Sequence, residues 1–149
     1  MATATREHHE RDAYLLAGLV SSRLSGELDA ICRTFGISES QYAVLWVVCL
    51  SSDKRGVVQG DISDGLITRA ADVSRIVSRL EESSLIVRSR DDGDGRVVRV
   101  KPTSSGRAVF DRVTRDIKRL HRRQFRSLDE SEIRVLIRLL NRILWSEGD

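Results

Sequence analysis

One proline in 149 residues excludes a proline-rich or linker-built chain. Two cysteines, Cys32 and Cys49, exclude a disulfide framework and a zinc-finger ligand set. Aromatics are also scarce: three Phe, two Tyr and two Trp leave the core to Leu, Val and Ile. The longest uncharged apolar run, Tyr42 to Leu50, falls far short of the roughly 20 residues that span a bilayer. Met1 to Asp12 is polar, without the basic-then-apolar order of a secretory signal. The histidines, His8, His9 and His121, form no triad and no metal-ligand spacing, and there is no phosphate loop. The expectation is one non-membrane, cytoplasmic domain over residues 1–149, not an enzyme and without a cofactor.

What is present is arginine, unevenly placed. The net charge is only +3, from 25 Lys and Arg against 22 Asp and Glu. Yet Arg112, Arg115, Lys118, Arg119, Arg122, Arg123 and Arg126 face Asp116 alone in one stretch. Arginine is the cation best matched to phosphates and guanine edges, so its clustering points toward nucleic acid.

The apolar spacing orders the chain. Leu16, Val20, Leu24, Leu28 and Ile31 predict a helix over 11–33, closed at Gly36, with the first dozen residues frayed. Ser38 to Gln41 is a capping box opening a second helix, with Tyr42, Leu45, Trp46 and Cys49 on one face. A short segment, Gln59 to Leu66, precedes a helix over Thr68 to Ser83 striped by Val73, Ile76, Val77 and Leu80. Two β-prone runs, Leu85 to Arg90 and Val97 to Lys101, flank the Asp- and Gly-rich turn 91–95 and predict a hairpin. Thr103 caps a long helix after Pro102. A second capping box, Asp129 to Glu132, opens a last helix with Ile133, Leu136, Ile137, Leu140 and Ile143 inward. The fold class is mostly α with a small β-hairpin wing: a winged helix-turn-helix between N- and C-terminal helices.

The helix after Thr68 carries the functional signal. Opposite its apolar stripe lie Ala71, Ser74, Arg75 and Ser78, flanked by Asp72 and Arg79. Small residues with Arg allow a helix to seat in a major groove, where Arg bonds guanine through two donors. The competing reading is a solvated face of ordinary charge spacing. At the hairpin tip, Asp94-Gly-Arg96 places an arginine where it could enter a minor groove, with Asp94 bracing its guanidinium. Here the competing reading is a surface turn.

Gly60-Asp-Ile-Ser-Asp64, Val73-Ser-Arg-Ile-Val-Ser-Arg-Leu-Glu81, Leu85-Ile-Val-Arg-Ser-Arg90, Asp94-Gly-Arg96 and Thr103-Ser-Ser-Gly106 together resemble the MarR family of bacterial transcriptional regulators. The resemblance implies a homodimer built by helices within 11–35 and 104–147, around a DNA-binding lobe over 38–102. It implies a palindromic double-stranded operator contacted by Thr68, Arg69, Ala71, Asp72, Ser74, Arg75, Ser78, Arg79, Arg88, Arg90, Asp94 and Arg96. It further implies repression relieved by a small aromatic or acidic effector bordered by Tyr14 and Trp46, or by an oxidant. For the oxidant, Cys32 beside Arg33 is the candidate, since Cys49 falls on the apolar side of its helix. The sequence departs from the family pattern in four places. Ser84 stands where a Gly usually precedes the first wing strand, and Pro102 where a Leu precedes the Thr. Asp72 replaces a neutral polar residue; it would repel phosphate but could accept from cytosine. Arg69 replaces the usual capping serine, leaving Thr68 as the nearest cap. Asp72 is also the feature that keeps a second function open, a winged-helix module that binds protein rather than DNA. The arginines of the helix after Pro102 are read as a solvated stripe, or as a basic lining near DNA or an acidic effector.

Overall fold

The computed structural model describes residues 2–66, 72–91 and 93–145, with side chains from residue 5 onward. It divides into two compact units, Met1–Ile117 and Lys118–Asp149.

Helix α1 (Ala2–Thr34) begins well before the expected start. The first dozen residues are helical rather than frayed, because Ala, Glu and Arg are good helix formers and Arg6 pairs with Glu10 one turn on. Gly36 ends the chain's first turn in the left-handed region, at φ 75°. Helix α2 (Glu39–Leu50) opens on the expected capping box, with the Ser38 hydroxyl accepting from Gln41 N and the Gln41 amide oxygen accepting from Ser38 N. Its buried face is Tyr42, Val44, Leu45, Val48 and Cys49. Trp46 lies at the margin of that face rather than within it, a correction to the expected stripe. A nearly continuous apolar helix has no unique stripe, so periodicity could not place its edge.

The expected hairpin is one half of a three-stranded antiparallel sheet of order β1-β3-β2, formed by β1 (Val57–Val58), β2 (Ile86–Arg90) and β3 (Val98–Pro102). Two residues are too few for an alternating signal, so β1 was not legible. Arg88 faces Val100 across the hairpin, and Val58 faces Arg99 on the other side. Between β1 and the third helix runs a 3₁₀ turn, Gln59–Gly65. Helix α3 (Val73–Glu82) then packs Val77 and Leu80 inward.

Helix α4 (Ser104–Gln124) opens on Thr103, whose hydroxyl accepts from Gly106 N and donates to the Ser84 carbonyl. A Cβ on Gly106 would lie 1.8 Å from the Leu85 carbonyl oxygen, so the start of α4 rests directly on the chain entering β2. The first unit's core joins Cys32 of α1, Val44 and Leu45 of α2, Ile62, Leu80 of α3, Ile86 and Val100 of the sheet, and Phe110 and Val113 of α4.

In the second unit, α5 (Glu130–Leu144) starts from the expected Asp129 capping box. Its apolar residues do not face inward as expected. Ile133 and Leu136 are half-buried, and Ile137, Leu140 and Ile143 are exposed. A stripe laid down by periodicity still needs a surface to cover it, and a unit this short supplies little. No helix among the described residues is long and apolar enough to cross a membrane.

Candidate nucleic-acid interface

Helix α3 presents the two faces that the sequence wheel predicts. Val77 and Leu80 are buried and Val73 and Ile76 half-buried, while Ser74, Arg75 and Arg79 are exposed and Ser78 half-buried. Asp72 is the N-cap, its carboxylate accepting the Arg75 backbone N–H at 2.9 Å. Asp72 is thus engaged as the cap of the described helix, and it lines the same cleft as Arg75 and Arg79. Thr68, Arg69 and Ala71 lie outside the described residues.

The wing is ordered by carboxylates. Asp94 accepts the Arg96 backbone N–H at 2.9 Å, so it shapes the turn instead of bracing the guanidinium as expected. Arg96 itself is exposed at the tip. Arg88 is turned back on α3: its Nε donates to Glu81 at 2.8 Å, and its backbone N–H to the other Glu81 oxygen at 3.1 Å. The Arg88 hydrogen bonds hold the Glu81 carboxyl below its usual range. Arg90, one pleat along, is exposed. Sequence reasoning missed Arg99, which is bound to Asp91, Asp53 and the Gly56 carbonyl. An isolated Arg on a strand carries no signal until its partners, 8 and 46 residues away, are folded beside it.

Two clefts gather these side chains. Ser74, at the start of α3, lines one together with Gln59, Gly60, Ser63 and the wing residue Arg96. Arg75 and Arg79 line a second with Ser38, Ser40 and Gln41 at the N-terminal end of α2. Ser74, at the start of the helix face, and Arg96 at the wing tip are therefore neighbours, although 22 positions separate them.

The remaining candidates are not gathered with them. Trp46 stands against Tyr42 and Phe110, with ring centroids 6.1 and 5.8 Å away, and is 42% exposed. Tyr14, 79% exposed on α1, makes no ring contact among the described residues. Cys32 is fully buried, and burial, with Asp29 and Glu39 nearby, pushes its thiol up to about 11. Burial takes Cys49 to about 11 as well. Arg112, Arg115, Arg119, Arg122 and Arg126 are exposed, opposite the buried seam of Phe110, Val113, Ile117 and Leu120.

Comparison with known proteins agrees with this geometry. Residues 35–97 match the model of the MarR family. The HTH-type transcriptional repressor IacR of Pseudomonas putida is 25% identical over 121 residues, covering 81% of this chain and 71% of that protein. The S. aureus MepR–DNA complex superposes with a TM-score of 0.80 at 24% identity, over 91% of this chain and 97% of that one. CouR from Rhodococcus jostii RHA1, bound to p-coumaroyl-CoA, gives 0.75 at 24% identity, over 93% and 95%. The fold and the matched segment are those of a winged helix-turn-helix. More narrowly, residues 35–97, the winged helix at the centre of this chain, are similar to the MarR family.

Proposed function

We propose that the chain is a homodimeric, sequence-specific DNA-binding regulator, a repressor that a small aromatic or acidic ligand releases from a palindromic operator. The observation that carries this reading is the exposed Ser74, Arg75 and Arg79 face of α3, whose Ser74 shares a cleft with Arg96 at the wing tip. A helix face of this kind suits a major groove, and an arginine on a short wing suits the adjoining minor groove. In this reading Ser74, Arg75, Ser78 and Arg79 face bases and phosphates, as would Thr68, Arg69 and Ala71. Arg90 and Arg96 reach the flanking backbone, while Arg88, Asp72 and Asp94 shape the elements that carry them. The solved MepR structure holds DNA and the IacR name is that of a repressor, which supports the same direction.

The dimer reading rests on exposed apolar side chains. Helix α1 exposes Tyr14, Leu15, Leu16, Leu19 and Val20, and α5 exposes Ile137, Leu140, Ile143 and Leu144. Exposed apolar side chains in such numbers on a helix mark an interaction site. Two-fold symmetry then calls for half-sites about one helical turn, ~34–36 Å, apart. The p-coumaroyl-CoA held by CouR supports an aromatic effector, for which the half-exposed Trp46 is the candidate border and Tyr14 the second. With Asp72 occupied as a cap, the feature that favoured a protein-binding module loses its force. Burial of Cys32 likewise weakens the oxidant reading, since a sensor thiol needs access and a lowered pKa.

Genome-fragment selection with the purified protein, followed by footprinting, tests the central claim. Arg75→Ala should relax preference at one base pair, at a cost of about 1–3 kcal/mol. Arg96→Ala should weaken all sequences nearly alike. Failure to enrich any fragment, or a compact monomer in sedimentation at micromolar concentration, would overturn the reading.

A further inference from the structure

Arg99 is the enclosed arginine of the wing. Its side chain is 12% exposed, against 33% for Arg88, and it lies on the central strand β3. Its guanidinium serves two loops at once. Nε donates to the Asp91 carboxylate at the base of the wing turn, and Nη1 donates to Asp53 at 3.1 Å and to the Gly56 carbonyl at 2.9 Å. Each acid orders its own loop with its other oxygen: Asp91 Oδ1 accepts Gly93 N at 2.9 Å, and Asp53 Oδ1 accepts Arg55 N at 2.8 Å. Gly56 brings the second loop flat against β3. Its φ is 95°, and a Cβ there would lie 2.6 Å from the Val100 carbonyl oxygen. A rigid planar fork with several donors can hold both loops in one geometry; a single ammonium on a flexible stem cannot.

We propose that Arg99 is a positioning residue for the wing, clamping the turn that carries Arg96 to the loop leaving α2 and so fixing Arg96 beside Ser74. Its consequence for DNA rests on the function proposed above; the clamp itself does not. Among the described residues of the turn from Asp91 to Val97, Arg96 and Val97 line the cleft with Ser74, and the Arg99 bonds tie its base to the loop leaving α2. The turn's own backbone bonds, Asp91 N to Val97 O and Val97 N to Asp94 O, close the loop without tying it to the rest of the unit. Through Asp53, the same clamp makes the C-terminal end of α2 and the wing tip move as one.

The test uses the full chain with Arg99→Met, Arg99→Lys and Asp53→Asn, each also combined with Arg96→Ala. Amide hydrogen exchange in the free protein should rise about tenfold or more at Gly93, Arg96 and Val97 in Arg99→Met, while amides of α4 keep their protection. Arg99→Lys should recover little of it. Affinity for a DNA fragment selected by the wild type should fall about tenfold in Arg99→Met, but less than about threefold when Arg96 is already Ala. Equal losses in both backgrounds, or unchanged wing exchange, would overturn the proposal. Should Arg99→Met fail to fold, Asp53→Asn, which removes one arm only, decides by the same two readings. If the wild type enriches no DNA at all, the DNA reading falls, and the exchange measurement alone settles the clamp.

Discussion

The Asp72 carboxylate accepts the backbone N–H of Arg75 at 2.9 Å, so the acid that stands beside the exposed arginine face starts the helix that carries it. A side chain serving as an N-cap is held against the first turn of its helix by the amide it accepts from. Asp72→Asn should therefore keep both the helix and the operator preference, because Asn caps as well as Asp. Asp72→Ala should lose about 1 kcal/mol of stability and still leave base preference unchanged. Thermal melts and an operator library check both parts. A change of preference at one G·C pair in Asp72→Asn would return the acid to base reading.

Asp72 also marks how far the sequence could be read. The capping boxes at Ser38 and Asp129 were legible because their partners lie three residues away. The two faces of α3 were legible because polar and apolar positions alternate cleanly at helical spacing. The apolar edge of α2 was not, since nine of its twelve residues are hydrophobic and nothing in the pattern separates Trp46 from Val44. Arg99 was invisible for a different reason: its meaning lies in Asp53, 46 positions earlier, brought near by a strand of only two residues. The α5 stripe was read correctly as apolar and wrongly as inward, because the pattern specifies a face and not the surface that covers it.

Ser84 and Gly106 make opposite demands on a side chain. Ser84 holds φ 58°, in the left-handed region, and its roles with Glu81 and Thr103 use only its backbone. Ser84→Gly should relieve that conformation and raise stability by up to about 1 kcal/mol. Gly106→Ala should do the reverse. Its Cβ would be driven into the Leu85 carbonyl, the same oxygen that accepts Thr103 N at 3.0 Å, so α4 must lift from β2 at a cost of about 3 kcal/mol. Denaturant melts of the two variants should move in opposite directions.

Stability should also fall in acid, in the wing as elsewhere. The Arg99 hydrogen bond, and then the Gly93 N–H, hold the Asp91 carboxyl below its ordinary 3.8, and Arg88 holds Glu81 below its ordinary 4.5. Groups whose folded pKa is depressed contribute stability above the unfolded value and lose it as pH falls through the folded one. The contribution should be complete at neutral pH, begin to decline near pH 4, and vanish below the depressed values. Melts between pH 7 and pH 2.5 follow the whole molecule, and exchange at Gly93 follows the wing. Asp91→Asn should flatten the Gly93 profile; an unchanged profile would mean that other carboxylates control the wing.

Ligand release offers the sharpest contrast between the two effector chemistries. In the proposed dimer, a ligand that favours a spacing of the two α3 helices unlike that of the operator must weaken DNA binding, by its differential affinity for the two forms. A fall of 10- to 100-fold needs only ~1.4–2.8 kcal/mol, within the ordinary range of coupling. Trp46, edge-on to Phe110 and 42% exposed, offers an aromatic acid a ring surface that Tyr14 cannot complete alone. Titrating aromatic acids against the operator complex should therefore release the wild type, and Trp46→Ala should need at least about tenfold more ligand for the same effect. Trp145 is the other fluorophore, so Trp145→Phe isolates the Trp46 signal for direct binding. Peroxide should leave the complex intact, because the Cys32 thiol is fully enclosed and held at about 11, where almost no thiolate exists at neutral pH. Release by peroxide that Cys32→Ser abolishes would replace the aromatic ligand with an oxidant, and would require Cys32 to become exposed before it reacts.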